Sequence, residues 1–278
     1  MKFVLPKVRP AGAHQLSRSF VLLALLAGGL SFSSCAALAA ERQIIKEARH
    51  SHDGDTVFWN AVERADVIYV GETHDDPADH AYEIQLIRGL LARKLCFAVG
   101  WEMFDWTQQA LLDDWHRRRI SLDELLSRTG FQKSWGLYSP AYSKILKITG
   151  QNRIRSIALN APAELPRKIA HGENLTREER RMMPEGFVAT EGAYKNFVSM
   201  MGDHPGMQRT DLRRFFDAQE VWDQTMAARI VEFTKGHAGM KLVVLTGRGH
   251  LPGGYGIPLY VRQKSNLGQL VLLRESRE

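Results

Sequence analysis

The sequence predicts an α/β fold, a mostly parallel β-sheet flanked by helices with a helical insertion before the last core strands. Two observations predict it. Short, near-continuous apolar runs recur along the chain with helical segments between them, and about seventy residues late in the chain contain no strand signal at all. Runs without polar alternation are expected where helices cover both faces of a sheet. Strands alternating with helices indicate parallel pairing through crossovers.

The expected strands are Ala65–Val70, Leu95–Val99, Ile154–Leu159 and Leu242–Leu245, with two short ones, Ile257–Val261 and Gln269–Leu273, closing the chain. Asp76-Pro77 reads as a helix start, a capping carboxylate followed by the residue best suited to the first turn. His80, Ile84, Ile87 and Leu91 then share one helical face. Trp106–Arg117 and Pro140–Lys147 read as further helices. The stretch from about Ala163 to Lys235 reads as the insertion, with helices at Gly192–Met201 and Asp211–Phe233. No repeat or linker divides the chain, so residues 41–278 are expected to form one domain, with the insertion at about 163–236.

The N-terminus is expected to be an export signal. Lys2, Lys7, Arg9 and Arg18 precede the apolar stretch Phe20–Leu30, and residues 1–34 contain no acid. That stretch is short for a membrane span, which takes about 20 apolar residues, and it ends in small residues, as a cleavable signal does. Ser33-Ser34-Cys35 resembles the lipoprotein site at which the cysteine becomes the lipidated N-terminus. Phe32 stands where leucine is usual, and Ala37-Leu38-Ala39 offers a competing cut after residue 39 that would release a soluble protein. The localisation expected is therefore exported, periplasm-facing or anchored at the outer membrane through Cys35.

Removing those four cations from the formal net charge of +6 leaves about +2, so the basic balance belongs mostly to the signal. Outside it the longest basic tract is Arg117-Arg118-Arg119, and no nucleic-acid-binding signature is present, so no nucleic-acid partner is expected. Cys96 is the only other cysteine. It excludes an intrachain disulfide once Cys35 is modified or removed, and it reads as a small buried apolar residue.

Chemistry concentrates where the strands end. The first expected strand runs into Gly71-Glu72-Thr73-His74 and the second into Trp101-Glu102. The third runs into Asn160-Ala161-Pro162 and the fourth into Gly247-Arg248-Gly249-His250. In open parallel sheets, functional groups gather beyond the carboxyl ends of the strands. Any one of these polar groups could simply cap a helix or satisfy a loop. Four strand ends carrying them together point to a site, with Gly71, Gly247 and Gly249 allowing tight turns. Glu72, His74, Glu102 and His250 could hold a divalent metal, or act as base and electrophile in ester or peptide hydrolysis. Neither Gly-x-Ser-x-Gly nor His-Glu-x-x-His occurs, so neither an α/β-hydrolase nor a zincin is supported. Cys-x-x-Cys-His is absent too, which excludes covalent c-type haem.

In this order, Gly71-Glu72-Thr73-His74-Asp75 with His80, Glu102-Met103-Phe104, Trp135-x-x-Tyr138-x-Pro140 and Leu159-Asn160-Ala161-Pro162 are followed by Ala218-Gln219, Trp222-Asp223, Met226-Ala227, Gly249-His250 and Gly256-Ile257-Pro258. Together they resemble the ChaN family of haem-binding bacterial lipoproteins. Its wider superfamily includes erythromycin-esterase-like and Tiki/TraB-like proteins. The resemblance implies haem binding in iron uptake or handling, a tyrosine as iron ligand, and a site at a homodimer interface. Phenolate is a hard anionic donor suited to ferric iron. Tyr194 is the first candidate ligand, with Lys195 and His204 as groups for the propionates. Tyr138 and Tyr255 are the others, and Tyr194 reads equally well as an ordinary amphipathic helix residue. The methionines at 182, 183, 200, 201 and 207 either line an apolar haem face or fill a core. Haem binding is the leading expectation. A hydrolase built on the strand-end cluster is the alternative, and a transporter-docking adaptor without a ligand the third.

Overall fold

The structure, a computed structural model, describes residues 44–45, 52–132, 139–201, 209–251 and 255–274. Cys35, Tyr138 and His204 lie outside the described residues, as do the export signal and Met207. In chain order the described elements are β1 (Ile44–Ile45), α1 (His52–Arg64), β2 (Val67–Glu72), α2 (Pro77–Ala92), β3 (Phe97–Asp105), α3 (Gln109–His116), α4 (Leu122–Arg128), α5 (Pro140–Gln151) and β4 (Ser156–Asn160). The insertion follows as α6 (Glu164–Ala170), α7 (Arg177–Arg181), α8 (Glu191–Met201) and α9 (Arg209–Gly236). Strand β5 (Lys241–Gly247), α10 (Ile257–Lys264) and β6 (Gln269–Leu273) close the chain.

All described pairings are parallel, in the order β1-β6-β2-β5-β3-β4. The expected α/β fold is thus what forms, and the apolar runs form its centre. Ile68, Val70, Val99, Trp101, Val243 and Leu245 pack on one face with residues of α1–α5. Val67, Tyr69, Ala98, Leu242 and Val244 pack on the other with residues of α9 and α10. Alternate residues therefore enter two different cores, which is why polar alternation is missing from the strands. The start of α2 is as expected, with Asp76 accepting a hydrogen bond from the Ala78 amide at 2.8 Å.

Three expectations are corrected. Residues 257–261 form the helix α10 rather than a strand. Gly256, at φ +70°, turns the chain in a conformation that only glycine adopts at no steric cost, and Pro258 sits in the first turn. Ile257, Tyr260 and Val261 then bury one helical face. Cys96 is exposed rather than buried, because β3 begins one residue later. Glu102 lies inside β3, which runs on to Asp105, instead of in a loop beyond it.

Helix α9 is about 42 Å long by its residue count. Its buried Met226, Ala227, Ile230 and Val231 pack against the sheet, while Glu220, Asp223 and Gln224 are buried polar residues earlier on the same helix. It thus brings charge from the insertion to the sheet's carboxyl edge.

Candidate functional site

Register assembles the site. Glu72 pairs with Gly247 across β2 and β5, and Trp101 pairs with Leu245 across β3 and β5. The next residues along, Glu102 and Thr246, therefore stand side by side at the carboxyl ends of three neighbouring strands. The Thr246 hydroxyl donates to Glu102 Oε2 at 2.7 Å, and the Gly247 amide donates to the same oxygen at 2.6 Å. A Cβ on Gly247 would stand 2.8 Å from His74 Nε2, so the glycine is needed for this close approach. Gly249 has open space around it and no such role.

Glu102 Oε1 faces His250 Nε2 at 3.3 Å and His74 Nε2 at 3.9 Å. On its other side His250 Nδ1 makes a short contact with Asp223 of α9 and lies 2.8 Å from the Gln219 side-chain amide. Burial opposes charge on His250, but the carboxylates of Glu102 and Asp223 on either side prevail and raise its pKa to about 10. Burial likewise opposes charge on Glu102. The two histidines and its hydrogen bonds hold its carboxyl well below the usual range. Asp223 is shifted upward, because its burial outweighs the pull of His250.

A second group adjoins the first. Glu72 Oε1 accepts from His74 Nδ1 at 2.8 Å and from the Tyr142 hydroxyl at 2.7 Å. His80 Nδ1 lies 3.0 Å from both Glu72 Oε2 and Glu83 Oε2, and its Nε2 donates to the His74 carbonyl at 3.0 Å. Despite desolvation, hydrogen bonds from His74 and His80 lower Glu72 to about 2, and the two glutamates raise His80 to about 10. Burial beside Glu72 pushes Glu83 well above the carboxylate range. Of the seven groups, His74 is the half-buried one that meets solvent. The arrangement can hold a cation among fixed carboxylates, or hold protons on imidazoles next to them.

The structure thus brings Glu72, His74, Glu102 and His250 together. Asn160 is left out, because its Oδ1 accepts from the amide of the next residue, Ala161. Glu83 was missed, and His80 and Asp223 entered only as motif residues. Glu83 follows His80 by three positions on α2, a spacing that puts both on one helical face. Asp223 lies eighteen positions before the nearest described strand, which begins at Lys241, and nothing local to it marks a site.

The haem-binding uptake family ChaN, of the Tiki superfamily, matches residues 58–261. The chain belongs to the ChaN family. Among solved structures it is similar to ChaN of Campylobacter jejuni, described as binding haem cofacially. The identity is 21%, the TM-score 0.64, and the alignment covers 83% of this chain and 88% of that one. It is also similar to an open-conformation mutant of the erythromycin esterase EreC, at 14% identity and TM-score 0.51, covering 81% of this chain and 73% of the esterase. No curated protein matches the chain in sequence.

Tyrosine supply on this ChaN-family fold is narrowed by burial. Tyr69, Tyr142 and Tyr260 are buried, with hydroxyls bonded to Gln269, Glu72 and Glu220. Tyr194 and Tyr255 are half-buried. They belong to one region, since a Cβ on Gly192 of α8 would stand 3.8 Å from the Tyr255 hydroxyl. The Tyr194 ring packs edge-on against Phe216 at 5.3 Å, and the Arg213 guanidinium lies 4.9 Å over its face. Lys195 is exposed beside it. Met182 and Met183 pack with Phe187 on the small insertion core of Leu165 and Val221, the gap-filling role of methionine.

Proposed function

We propose that this protein is an exported lipoprotein that binds haem beside α8 and Tyr255, in haem or iron uptake. Membership of a haem-binding family supports the ligand. The observation that carries the location is the Arg213 guanidinium 4.9 Å over the half-buried Tyr194 ring, on the helix that Tyr255 approaches at Gly192. A tyrosine-ligated haem takes a phenolate oxygen on its ferric iron, an apolar surface for the ring and cations for the propionates. Tyr194 or Tyr255 supplies the first, the half-buried Phe197 backed by Phe216 the second, and Arg213 and Lys195 the third. Arg213 also bonds Asp217 at 3.2 Å and Glu191 at 3.4 Å, so a propionate would exchange with these carboxylates. Bound haem would supply a ferric centre that tyrosine ligation stabilises; the chain's part is to bind, orient and shield it. The cofacial haems of the Campylobacter jejuni protein support a shared site between two copies of this chain.

The test is hemin titration of the mature protein and of Tyr194→Phe, Tyr138→Phe and Tyr255→Phe, with sedimentation run in parallel. One tyrosine change is expected to abolish the phenolate charge-transfer band and weaken binding by about tenfold or more, that is by about 1.4 kcal/mol or more. Dimer formation should follow haem addition. A wild type without a Soret shift would remove the reading, and three variants that all bind like the wild type would move the site elsewhere.

The anchor has its own test. Membrane attachment through acylated Cys35 rests on the Ser33-Ser34-Cys35 motif. Cys35→Ser is expected to shift the protein from the detergent phase to the aqueous phase after phase separation. Aqueous partition of the wild type would support the cut after residue 39 instead.

A further inference from the structure

Three side chains beside the strand-end histidines have the form of a metal site distinct from the haem face. Glu72 ends β2, while His80 and Glu83 project from the first turns of α2. Their ligand atoms all lie within 4.8 Å of one another. The three residues are 1%, 2% and 0% exposed, too buried for the cluster to be a solvated acidic surface. Glu83 Oε1 is buried without a hydrogen-bond partner, a costly condition for a carboxylate oxygen, and Glu72 Oε2 faces the His80 ring nitrogen at 3.0 Å.

The surroundings of each group are those of a ligand. His80 gives its Nε2 hydrogen to the His74 carbonyl, which leaves Nδ1 as the donor facing both carboxylates at 3.0 Å. A backbone carbonyl on the far nitrogen is how metal-bound imidazoles are commonly oriented. Glu72 is fixed in turn through its other oxygen by Tyr142 and His74. Two carboxylates and a neutral imidazole balance a doubly charged ion. One nitrogen and hard oxygens, with no sulfur, suit zinc or manganese better than calcium or magnesium.

We propose that Glu72, His80 and Glu83 bind one first-row divalent metal ion, with His74 and Tyr142 positioning Glu72 rather than ligating. This site shares Glu72 with the set expected from the sequence, and it excludes Glu102 and His250 from the ligand set. It does not rest on the haem reading, and failure of either leaves the other standing.

Full mature protein stripped with EDTA would be titrated with ZnCl2 and with CoCl2. The wild type is expected to bind one equivalent, to gain thermal stability with zinc, and to show visible cobalt bands. Glu83→Gln, nearly isosteric, should weaken binding at least about tenfold, while His250→Ala should retain it. X-ray absorption of the zinc-loaded wild type should report one imidazole, a readout that needs no variant to fold. Absence of binding in the wild type would overturn the proposal. So would two imidazoles, or binding lost in His250→Ala and kept in Glu83→Gln.

Discussion

Glu102→Ala is expected to lower the unfolding free energy by about 3–5 kcal/mol, the range for removing one partner of a buried ion pair. Glu102 is 5% exposed, and one of its oxygens satisfies both the Thr246 hydroxyl and the Gly247 amide. The other faces His250, whose remaining carboxylate partner is Asp223. Truncation removes half of the charge that offsets a buried imidazolium and strips a buried amide of its acceptor, two costs that fall on one site. Glu102→Gln keeps an oxygen for Thr246 and Gly247 and loses only the charge, so a smaller loss, about 1–3 kcal/mol, is expected from it. Urea denaturation checks both, as a lower midpoint at unchanged slope. A Glu102→Ala protein as stable as the wild type would mean that the carboxylate strains the fold, as residues retained for chemistry do.

The second large effect is alkaline destabilisation. In metal-free protein His80 and His250 each titrate near pH 10, against about 6.5 for an unfolded histidine. A raised histidine pKa means that the native state holds protons the unfolded chain has released. The associated stability is therefore fully present below about pH 6.5 and is lost as pH rises through about 10. Glu220, buried beside Tyr260 and raised to about 7 by desolvation, acts in the same direction over a lower window, from about 4.5 to 7. Glu72, lowered to about 2, opposes them only in acid, where its contribution disappears as pH falls through that value. With EDTA present, Tm is expected to fall by about 5–15 °C between pH 6.5 and 10.5, the size that several kcal/mol produce in a domain of this length. Asp223→Asn should flatten the curve, because His250 then loses one of the two carboxylates that hold its proton. A Tm that is constant over this range would show both imidazoles to be neutral in the fold.

By itself, the sequence determined the layering and the edge at which the chemistry collects. Val67–Val70 and Leu242–Leu245 read as doubly covered strands because every residue in them is apolar, and both faces do enter cores. Glu72, His74, Glu102 and His250 were legible because each follows or ends an apolar run, and parallel register gathers such positions at one edge. Position relative to a strand carries no such information for Asp223. It lies on the long insertion helix, and only the packing of α9 across the sheet sets its carboxylate against His250. Glu83 has a local signal in its spacing from His80, yet only the seating of α2 against the end of β2 aims both at Glu72.

Residues 257–261 misled because an apolar run of five suits a buried strand and one face of a helix equally. The left-handed turn at Gly256 decided for the helix. The tyrosines show the same division. Composition supplies seven of them, and their types and neighbours in sequence do not rank them. Burial removes Tyr69, Tyr142 and Tyr260 from reach of a ligand, and the fold brings Tyr255 up to the helix that carries Tyr194. Periodicity records which faces are covered; which partner covers them is settled by contacts between residues far apart in the chain.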